Sequence, residues 1–222
     1  MKTDSQIQTD MMDELRWSPL LHVSDVGVSV KDGVVTLTGN VDTYAKKIDA
    51  EQCAERVAGV KAVALDISVG VSPSFKRTDT EIAEAAVATL KMHTSIPEDT
   101  VRVTVEDGAV TLEGEVEWEY QRAAAKNAIQ NFAGVKTVWN FIKLKPNVTA
   151  TDIKDKIKAA FERSAKIDAG RISVTTAGSH VTLNGTVASL TEKEDAAFAA
   201  WSAPGVTMVT NNLYVQEEEF AF

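Results

Sequence analysis

The 222-residue sequence has few of the features that would mark a specialised class of protein. It has a single cysteine, Cys53, so no disulfide can form within the chain and a disulfide-stapled scaffold is excluded. No apolar run approaches the roughly 18 to 20 residues that a membrane-spanning helix needs. Five prolines and twelve glycines are too few for a collagen-like or low-complexity chain. What remains is the composition of an ordinary globular protein.

Positive charge is also scarce, because 23 Lys and Arg residues stand against 32 Asp and Glu residues, a net charge of −9. Such a molecule repels phosphate backbones, so the sequence predicts no nucleic-acid partner. Contact with an anionic lipid surface would need a local basic patch. Residues 1–6 contain no apolar segment of a secretory signal. We therefore expect a cytoplasmic location for the chain as written, or a periplasmic one if an export signal is missing from it.

What the sequence does contain is an internal repeat. The pattern Val-Thr-Leu-x-Gly-x-Val occurs three times, and a Gly-Val pair follows each of its glycines 20 positions later. The paired glycines are Gly39 and Gly59, Gly114 and Gly134, and Gly185 and Gly205. Two anchors in the same register in three copies predict three domains, over 4–70, 77–146 and 149–216.

Within each repeat, the periodicity predicts the order α-β-β-α-β. Apolar residues at i, i+4 and i+8 predict a first helix with one face in the core. Alternating residues followed by the Val-Thr-Leu run predict a hairpin, with Asp32-Gly33 and Asp107-Gly108 as its turns in the first two repeats. In the third repeat, 177–180 predicts a wider loop. A second helix should end near the second glycine of each pair, and a last strand follows.

These residues resemble the BON domain of bacterial osmotically inducible periplasmic proteins and related envelope proteins. The resemblance rests on the Val-Thr-Leu-x-Gly core, the Gly-Val pair and a last strand of the form Val-x-Asn-x-Ile/Leu, and it covers essentially the whole chain. It implies an α+β fold of three tandem domains, each a small mixed three-stranded sheet with two helices on one face. It also implies a non-enzymatic module associated with osmotic or envelope stress and proposed to bind phospholipid. The first copy has Leu65 where the others have Asn140 and Asn211.

The residues themselves offer no catalytic constellation. The three histidines lie in a linker, at a helix end and in a turn, without metal-ligand spacing: His22, His93 and His180. Cys53 stands where the other copies have alanine, which predicts a packed and unreactive position. The sequence has neither a Gly-x-Ser-x-Gly elbow nor a Gly-rich phosphate loop. We therefore expect no enzyme activity, no cofactor and no metal centre.

Alternating glutamates in the second repeat are its most acidic feature. Glu113, Glu115 and Glu117 should point to the same side of one strand. Clustered carboxylates could hold calcium or magnesium, but a straight strand spaces them about 7 Å apart, and a cation site needs ligands that converge. A solvated face that protects a strand edge is the favoured interpretation, and a cation site is the alternative.

Two further features could carry binding. Trp139 and Phe141 have the opposite parity to the core residues of their strand, so they should lie on the sheet face that has no helices. This predicts a contact surface, either for a neighbouring repeat, which is the favoured interpretation, or for an external ligand. Lys154 and Lys158 lie on the first helix of the third repeat. This repeat, residues 149–216, has seven basic and seven acidic residues, so its net charge is zero.

The lysines on that helix allow two interpretations, an amphipathic helix at a membrane interface or an ordinary helix with a buried stripe. Burial is favoured, because the same stripe occurs in the other copies. The lysines are still the best place for an anionic head group. The leading functional hypothesis is therefore a stress-associated protein that binds phospholipid or another envelope component. The alternative is a cytoplasmic adaptor that binds a protein, a cation or a small ligand.

Overall fold

The structure, a computed structural model, describes residues 2–70, 73–97, 99–145 and 152–216. The first repeat consists of α1 (Asp4–Trp17), β1 (Val26–Lys31), β2 (Val34–Val41), α2 (Tyr44–Arg56) and β3 (Ala62–Val69). The second consists of α3 (Asp79–Met92), β4 (Val101–Glu106), β5 (Ala109–Val116), α4 (Glu119–Ile129) and β6 (Thr137–Leu144). The third consists of α5 (Ile153–Arg163), β7 (Ile172–Ala177), β8 (His180–Val187), α6 (Leu190–Trp201) and β9 (Met208–Val215). The predicted α-β-β-α-β order is confirmed in all three repeats.

Each repeat has its own three-stranded sheet, with the second strand in the middle. In the second and third repeats this strand pairs antiparallel with the first strand and parallel with the last. The parallel pair is joined through a helix, since a parallel connection needs a crossover longer than a turn. The sheets are therefore mixed and the fold class is α+β, as expected.

The core of each repeat lies between the sheet and its helices. The predicted stripe on the first helix is buried in every copy: Ile7, Met11 and Leu15; Ile82, Ala86 and Leu90; Ile153, Ile157 and Phe161. The inward residues of the middle strands complete it: Val35, Leu37 and Val41; Val110, Leu112 and Val116; Val181, Leu183 and Val187. Residues at i, i+4 and i+8 share one helix face and alternate strand residues share one sheet face, so the sequence pattern places these side chains together.

The hairpin turn of the third repeat differs from the expectation. Ala177 pairs with His180, so the loop has only two residues, Gly178 and Ser179, and the predicted wider loop is wrong. The error came from aligning Val174 with Val30, whereas the register aligns it with Val28. Gly178 has a positive φ of 60°, which gives a tight turn with its glycine in first place.

In the first two repeats, a carboxylate from the first helix holds the hairpin turn. The Asp4 carboxylate accepts hydrogen bonds from the backbone N–H groups of Asp32 and Gly33, at 2.8 and 3.0 Å. Asp79 does the same for the turn of the second repeat, at 2.8 and 2.9 Å. The N–H groups of a tight turn point away from the sheet and need a partner, and the helix supplies it.

The inward asparagine of the last strand joins strand to helix. Asn140 donates from Nδ2 to the carbonyl oxygen of Arg122 on α4 at 2.9 Å, and its Oδ1 accepts from the N–H of Ile142 at 3.2 Å. Asn211 makes the same pair of bonds to Lys193 and Leu213, at 3.2 and 3.1 Å. The asparagine in the sequence pattern therefore has a structural role, because its side chain joins the last strand to the second helix by hydrogen bonds.

The chain divides into two compact units. One contains Met1–Gly39, Ile48–Ile67 and Val148–Phe222, and the other contains Asn40–Lys47 and Ser68–Asn147. The first unit thus holds the third repeat and most of the first, and the second unit holds the second repeat. Among the described residues, no helix has the length and apolar character needed to cross a membrane.

Candidate binding surfaces

A groove between α5 and the edge strand β7 brings the predicted lysines of the third repeat to a cavity. Lys154, Lys158 and Glu162 follow each other at i, i+4 and i+8 along the helix row that faces β7, and all three line the groove. Its volume is about 360 Å³. The remaining lining is contributed by Phe161, Ala169, Ile172, Ser173, Val174 and Thr175.

Positive charge predominates in this groove. Lys154 and Lys158 are both exposed, and within the described part of the chain neither ammonium group has a carboxylate partner at ion-pair distance. The apolar lining side chains Phe161, Ile172 and Val174 are 1%, 6% and 1% exposed, so they offer little apolar surface. Ser173 and Thr175 are exposed, but they alternate with the buried Ile172 and Val174 along β7, so their hydroxyl groups point to the helix-free face. The chemistry therefore suits a small anionic group with oxygen atoms better than an acyl chain.

The corresponding groove differs in the other two repeats. In the first, Gln8 stands at the position of Lys154, and its Nε2 donates to the carbonyl oxygen of Val28 on β1 at 2.9 Å, which bridges the groove. In the second, Ala83 stands there and the cavity is only about 70 Å³, with Lys91 as its cation. The same fold thus presents three different grooves, and the third is the most basic.

The helix-free face of the second repeat carries the two predicted aromatic side chains. Trp139 is 55% exposed and Phe141 is 59% exposed, and they lie opposite Thr111 and Glu113 of β5. Their position on the outer face confirms the parity argument. Since more than half of each side chain is in contact with solvent, the face is open to a ligand or another protein.

The glutamates of the second repeat do not share one strand, contrary to the expectation. β5 ends at Val116, so only Glu113 and Glu115 belong to it, and Glu117 lies beyond its end. Glu115 forms an ion pair with Lys145 at 3.2 Å. The strand ends at Val116, as β2 and β8 end at the equivalent Val41 and Val187, and the next two N–H groups, of Glu117 and Trp118, donate to Oε1 of Gln121 at 3.0 Å. In the described ranges, no group of three or more acidic, histidine or cysteine side chains forms a possible metal cluster.

Among the described residues, the histidines and the cysteine do not form a cluster with one another. His180 begins β8, where its Nε2 lies 2.8 Å from Oγ1 of Thr210, and His93 ends α3. Cys53 is completely buried, which confirms its predicted packing. Burial raises the pKa of the Cys53 thiol to about 11, and the nearby Asp49 carboxylate adds to this. The thiolate is the reactive form, so this cysteine is unreactive at neutral pH.

A shallower depression of about 600 Å³ lies in the second repeat, beside the start of α3. Lys76, Arg77 and Lys136 line it together with Asp79 and Asp107. Its charge is therefore mixed, and the Asp79 carboxylate is already used by the hairpin turn. For an anionic ligand, the groove of the third repeat is the better candidate.

Comparison with known proteins gives a family for all three repeats. The family model of the BON domain matches residues 3–70, 78–146 and 149–217. Among curated proteins, the chain is 32% identical over 126 residues to the osmotically-inducible protein Y of Escherichia coli (strain K12), a match that covers 55% of this chain and 63% of that protein. It is 28% identical over 125 residues to the "Uncharacterized protein in gshII 5'region" of Anaplasma centrale, covering 55% of this chain and 83% of that protein. The chain thus spans less than two thirds of the first relative's length.

Among solved structures, CdsD, a structural protein of the type III secretion system of Chlamydia trachomatis, aligns over 95% of this chain and 92% of that chain. The sequence identity is 15% and the TM-score is 0.27. A TM-score this low carries no argument about fold or function.

Proposed function

Because the chain belongs to the BON domain family, in three tandem copies, we propose that it is a non-enzymatic, stress-associated protein that binds anionic phospholipid. Its similarity to an osmotically-inducible protein supports the association with osmotic stress. The observation that carries the lipid proposal is the groove between α5 and β7, where Lys154 and Lys158 stand without a carboxylate partner in the described chain.

The groove suits the head group of a phospholipid rather than its acyl chains. Two ammonium groups one helical turn apart can both approach one phosphate, and Ser173 and Thr175 of β7 line the opposite side. Each lysine near an anionic surface contributes about 1 kcal/mol to binding. The net charge of −9 repels the anionic surface and opposes this attraction. At 0.1 M salt, both the repulsion and the attraction extend over a Debye length of about 10 Å. The local patch should therefore be effective only at close range.

Replacing both lysines should abolish most of the binding. In co-sedimentation with vesicles of phosphatidylglycerol and phosphatidylcholine, we expect Lys154→Glu/Lys158→Glu to lower the bound fraction at least tenfold, since two attractions become two repulsions. Binding of the unaltered chain should weaken as salt rises and should be absent on pure phosphatidylcholine.

The matched control is Lys156→Glu/Arg163→Glu, which changes the net charge equally on the same helix but outside the groove. It should bind more strongly than the Lys154/Lys158 variant. Equal loss in both variants would show that the effect comes from overall charge and not from the groove. A chain that never sediments with anionic vesicles would contradict the lipid proposal as a whole.

A protein-binding adaptor is the second candidate, and the exposed Trp139 and Phe141 favour it. Large aromatic side chains that leave the core for solvent are typical of protein contact surfaces. When Phe141 is replaced by a photo-reactive benzoylphenylalanine in cells, we expect a cross-linked protein adduct. The same replacement at Asn212, the corresponding position of the third repeat, should give none. Equal adducts at both positions, or at neither, would contradict a specific contact through this face.

A further inference from the structure

A carboxylate shares the groove between α5 and β7 with the two lysines. Lys154, Lys158 and Glu162 follow one another on the helix row that lines the groove. Glu162 is exposed, and no basic nitrogen of the described ranges lies at ion-pair distance from its carboxylate. Lys166, four residues further along the chain, is instead paired with Asp195 at 3.5 Å. The groove therefore presents two positive charges and one negative charge to a ligand.

A glutamate at this position is unfavourable for the helix itself. α5 ends at Arg163, so Glu162 lies in its last turn, where the negative end of the helix dipole attracts cations and repels carboxylates. The first helices of the other two repeats have Arg16 and Lys91 at the equivalent position, as the dipole favours. Within the described chain, the Glu162 carboxylate thus stabilises neither the helix end nor an ion pair, which indicates a role in the groove.

The order of the three charges along α5 indicates which ligand would complement them. Residues four apart on a helix are separated by a rise of about 6 Å. Lys154 and Lys158 can both approach one phosphate, and the Glu162 carboxylate then follows one helical turn further along the same row. A phosphate that carries a primary ammonium group on a two-carbon arm can contact the lysines and the carboxylate at the same time.

We propose that the groove binds the phosphoethanolamine head group of a phospholipid, with the phosphate held by Lys154 and Lys158 and the ammonium group held by Glu162. This inference rests on the proposed lipid function and adds a head-group preference to it. A primary ammonium group donates hydrogen bonds to a carboxylate, whereas the quaternary ammonium of choline has no N–H group to donate. Anionic lipids attract the lysines to the surface, and the head group that enters the groove is the one that also carries a primary ammonium.

The test keeps the anionic content of the membrane constant and changes only the second lipid. Vesicles contain the same fraction of phosphatidylglycerol, and the remainder is either phosphatidylcholine or phosphatidylethanolamine. We expect the whole chain to bind the vesicles with ethanolamine about two- to fivefold more tightly, the contribution of one exposed ion pair. Glu162→Gln should lose this preference. Its binding to the vesicles with choline should stay equal or rise, because a carboxylate near an anionic surface is removed.

The matched control is Asp155→Asn, which removes one exposed carboxylate from the same helix outside the groove. It should keep the preference for ethanolamine. The inference is overturned if the unaltered chain binds both kinds of vesicle equally. A preference that persists in Glu162→Gln also overturns it, because ethanolamine would then act through the packing of the membrane and not through the carboxylate.

Soluble head groups separate this inference from the lipid proposal. Glycerophosphoethanolamine and glycerophosphocholine are titrated into the whole chain, and the backbone amide resonances of β7 are followed by NMR. The ethanolamine compound should shift them at lower concentration, and Lys154→Glu/Lys158→Glu should abolish the shifts. If the shifts appear although no anionic vesicle binds the chain, the lipid proposal fails and the ligand of the groove is a soluble phosphoethanolamine ester. If the choline compound is equally effective, the role of Glu162 is overturned while the lipid proposal stands.

Discussion

Gly185→Ala should destabilise the third repeat by about 3–5 kcal/mol, because the new methyl group has no space. Gly185 is the glycine of the Val-Thr-Leu-x-Gly pattern, and its φ is 132°. A Cβ atom there would lie 2.0 Å from the carbonyl oxygen of Arg171, a backbone atom that cannot move without displacing the start of β7. Gly39 and Gly114 have the same conflict with Asp25 and Thr100, at 2.1 and 2.0 Å. The glycine is therefore required by close approach of two backbones in all three repeats.

The matched control is Gly178→Ala in the hairpin turn of the same repeat. Its φ is also positive, at 60°, but no atom lies within 4 Å of the added Cβ. Only the left-handed backbone conformation then disfavours alanine, at about 1 kcal/mol. Urea unfolding followed by hydrogen exchange of peptides from the third repeat measures both variants. Similar losses in the two variants would contradict the steric explanation.

Glu192→Ala should cost the third repeat about 2–4 kcal/mol, although glutamate is usually a surface residue. Glu192 is only 8% exposed. Its two oxygens accept from the N–H groups of Asp168 and Ala188, both at 2.7 Å, so alanine leaves two backbone donors without their partner. A charged acceptor makes such bonds stronger than neutral ones. The same unfolding measurement reports the loss.

Glu192→Gln separates hydrogen bonding from side-chain packing at this position. The second repeat has Gln121 there, which accepts from two N–H groups with a single oxygen. Glutamine at 192 keeps one acceptor oxygen, so we expect a loss about half that of alanine. If the free energy of unfolding of Glu192→Ala were within about 0.5 kcal/mol of that of the unaltered chain, the two short hydrogen bonds of the carboxylate would not stabilise the fold as their distances indicate.

The features that the sequence predicted correctly are those that depend on periodicity. The buried stripe Ile153, Ile157 and Phe161 could be identified because residues four apart must share a helix face. The hairpin turns Asp32-Gly33 and Asp107-Gly108 could be identified because aspartate and glycine tolerate the positive φ that these residues have. Local rules of this kind need no knowledge of the rest of the fold.

The errors arose where one residue decides the register. The sequence predicts a wider loop in the third hairpin because Thr176 stands where the first two repeats have valine. Val174 is then aligned with Val30, although the strand register makes it equivalent to Val28. The alternation of glutamates continues to Glu117, but β5 ends at Val116, so the pattern alone does not give the end of the strand. Gln121 accepts from the next two N–H groups, which are therefore no longer available to a neighbouring strand.

The hydrogen bonds that join distant parts of a repeat could not be predicted from the sequence. Glu192 looks like a surface residue, and Asn211 shares the parity of the core residues of its strand, but neither shows its partner, Asp168 or Lys193, in the sequence. Comparison of copies gives the available hint, because Glu192 and Gln121 are both acceptors at equivalent positions.

The candidate binding surfaces lie where the three copies differ rather than where they agree. The shared residues, such as Gly185 and Val181, are explained by close approach and core packing. The groove beside the first helix is bridged by Gln8 in one copy and lined by Lys154 in another. The sequence identified Lys154 and Lys158 as a basic patch, but only the structure shows that they share a groove with β7.

The most direct test places a reporter beside that groove. An environment-sensitive fluorophore at Thr175→Cys is attached to β7, the strand that borders the groove, and the same fluorophore at Ser29→Cys occupies the equivalent position of the first repeat, both in a Cys53→Ala background. On addition of phosphatidylglycerol vesicles, our account predicts a blue shift for the label at 175, abolished by Lys154→Glu/Lys158→Glu, and little shift for the label at 29. Equal shifts at both positions, or a shift at 29 alone, would contradict the assignment of lipid binding to the third repeat.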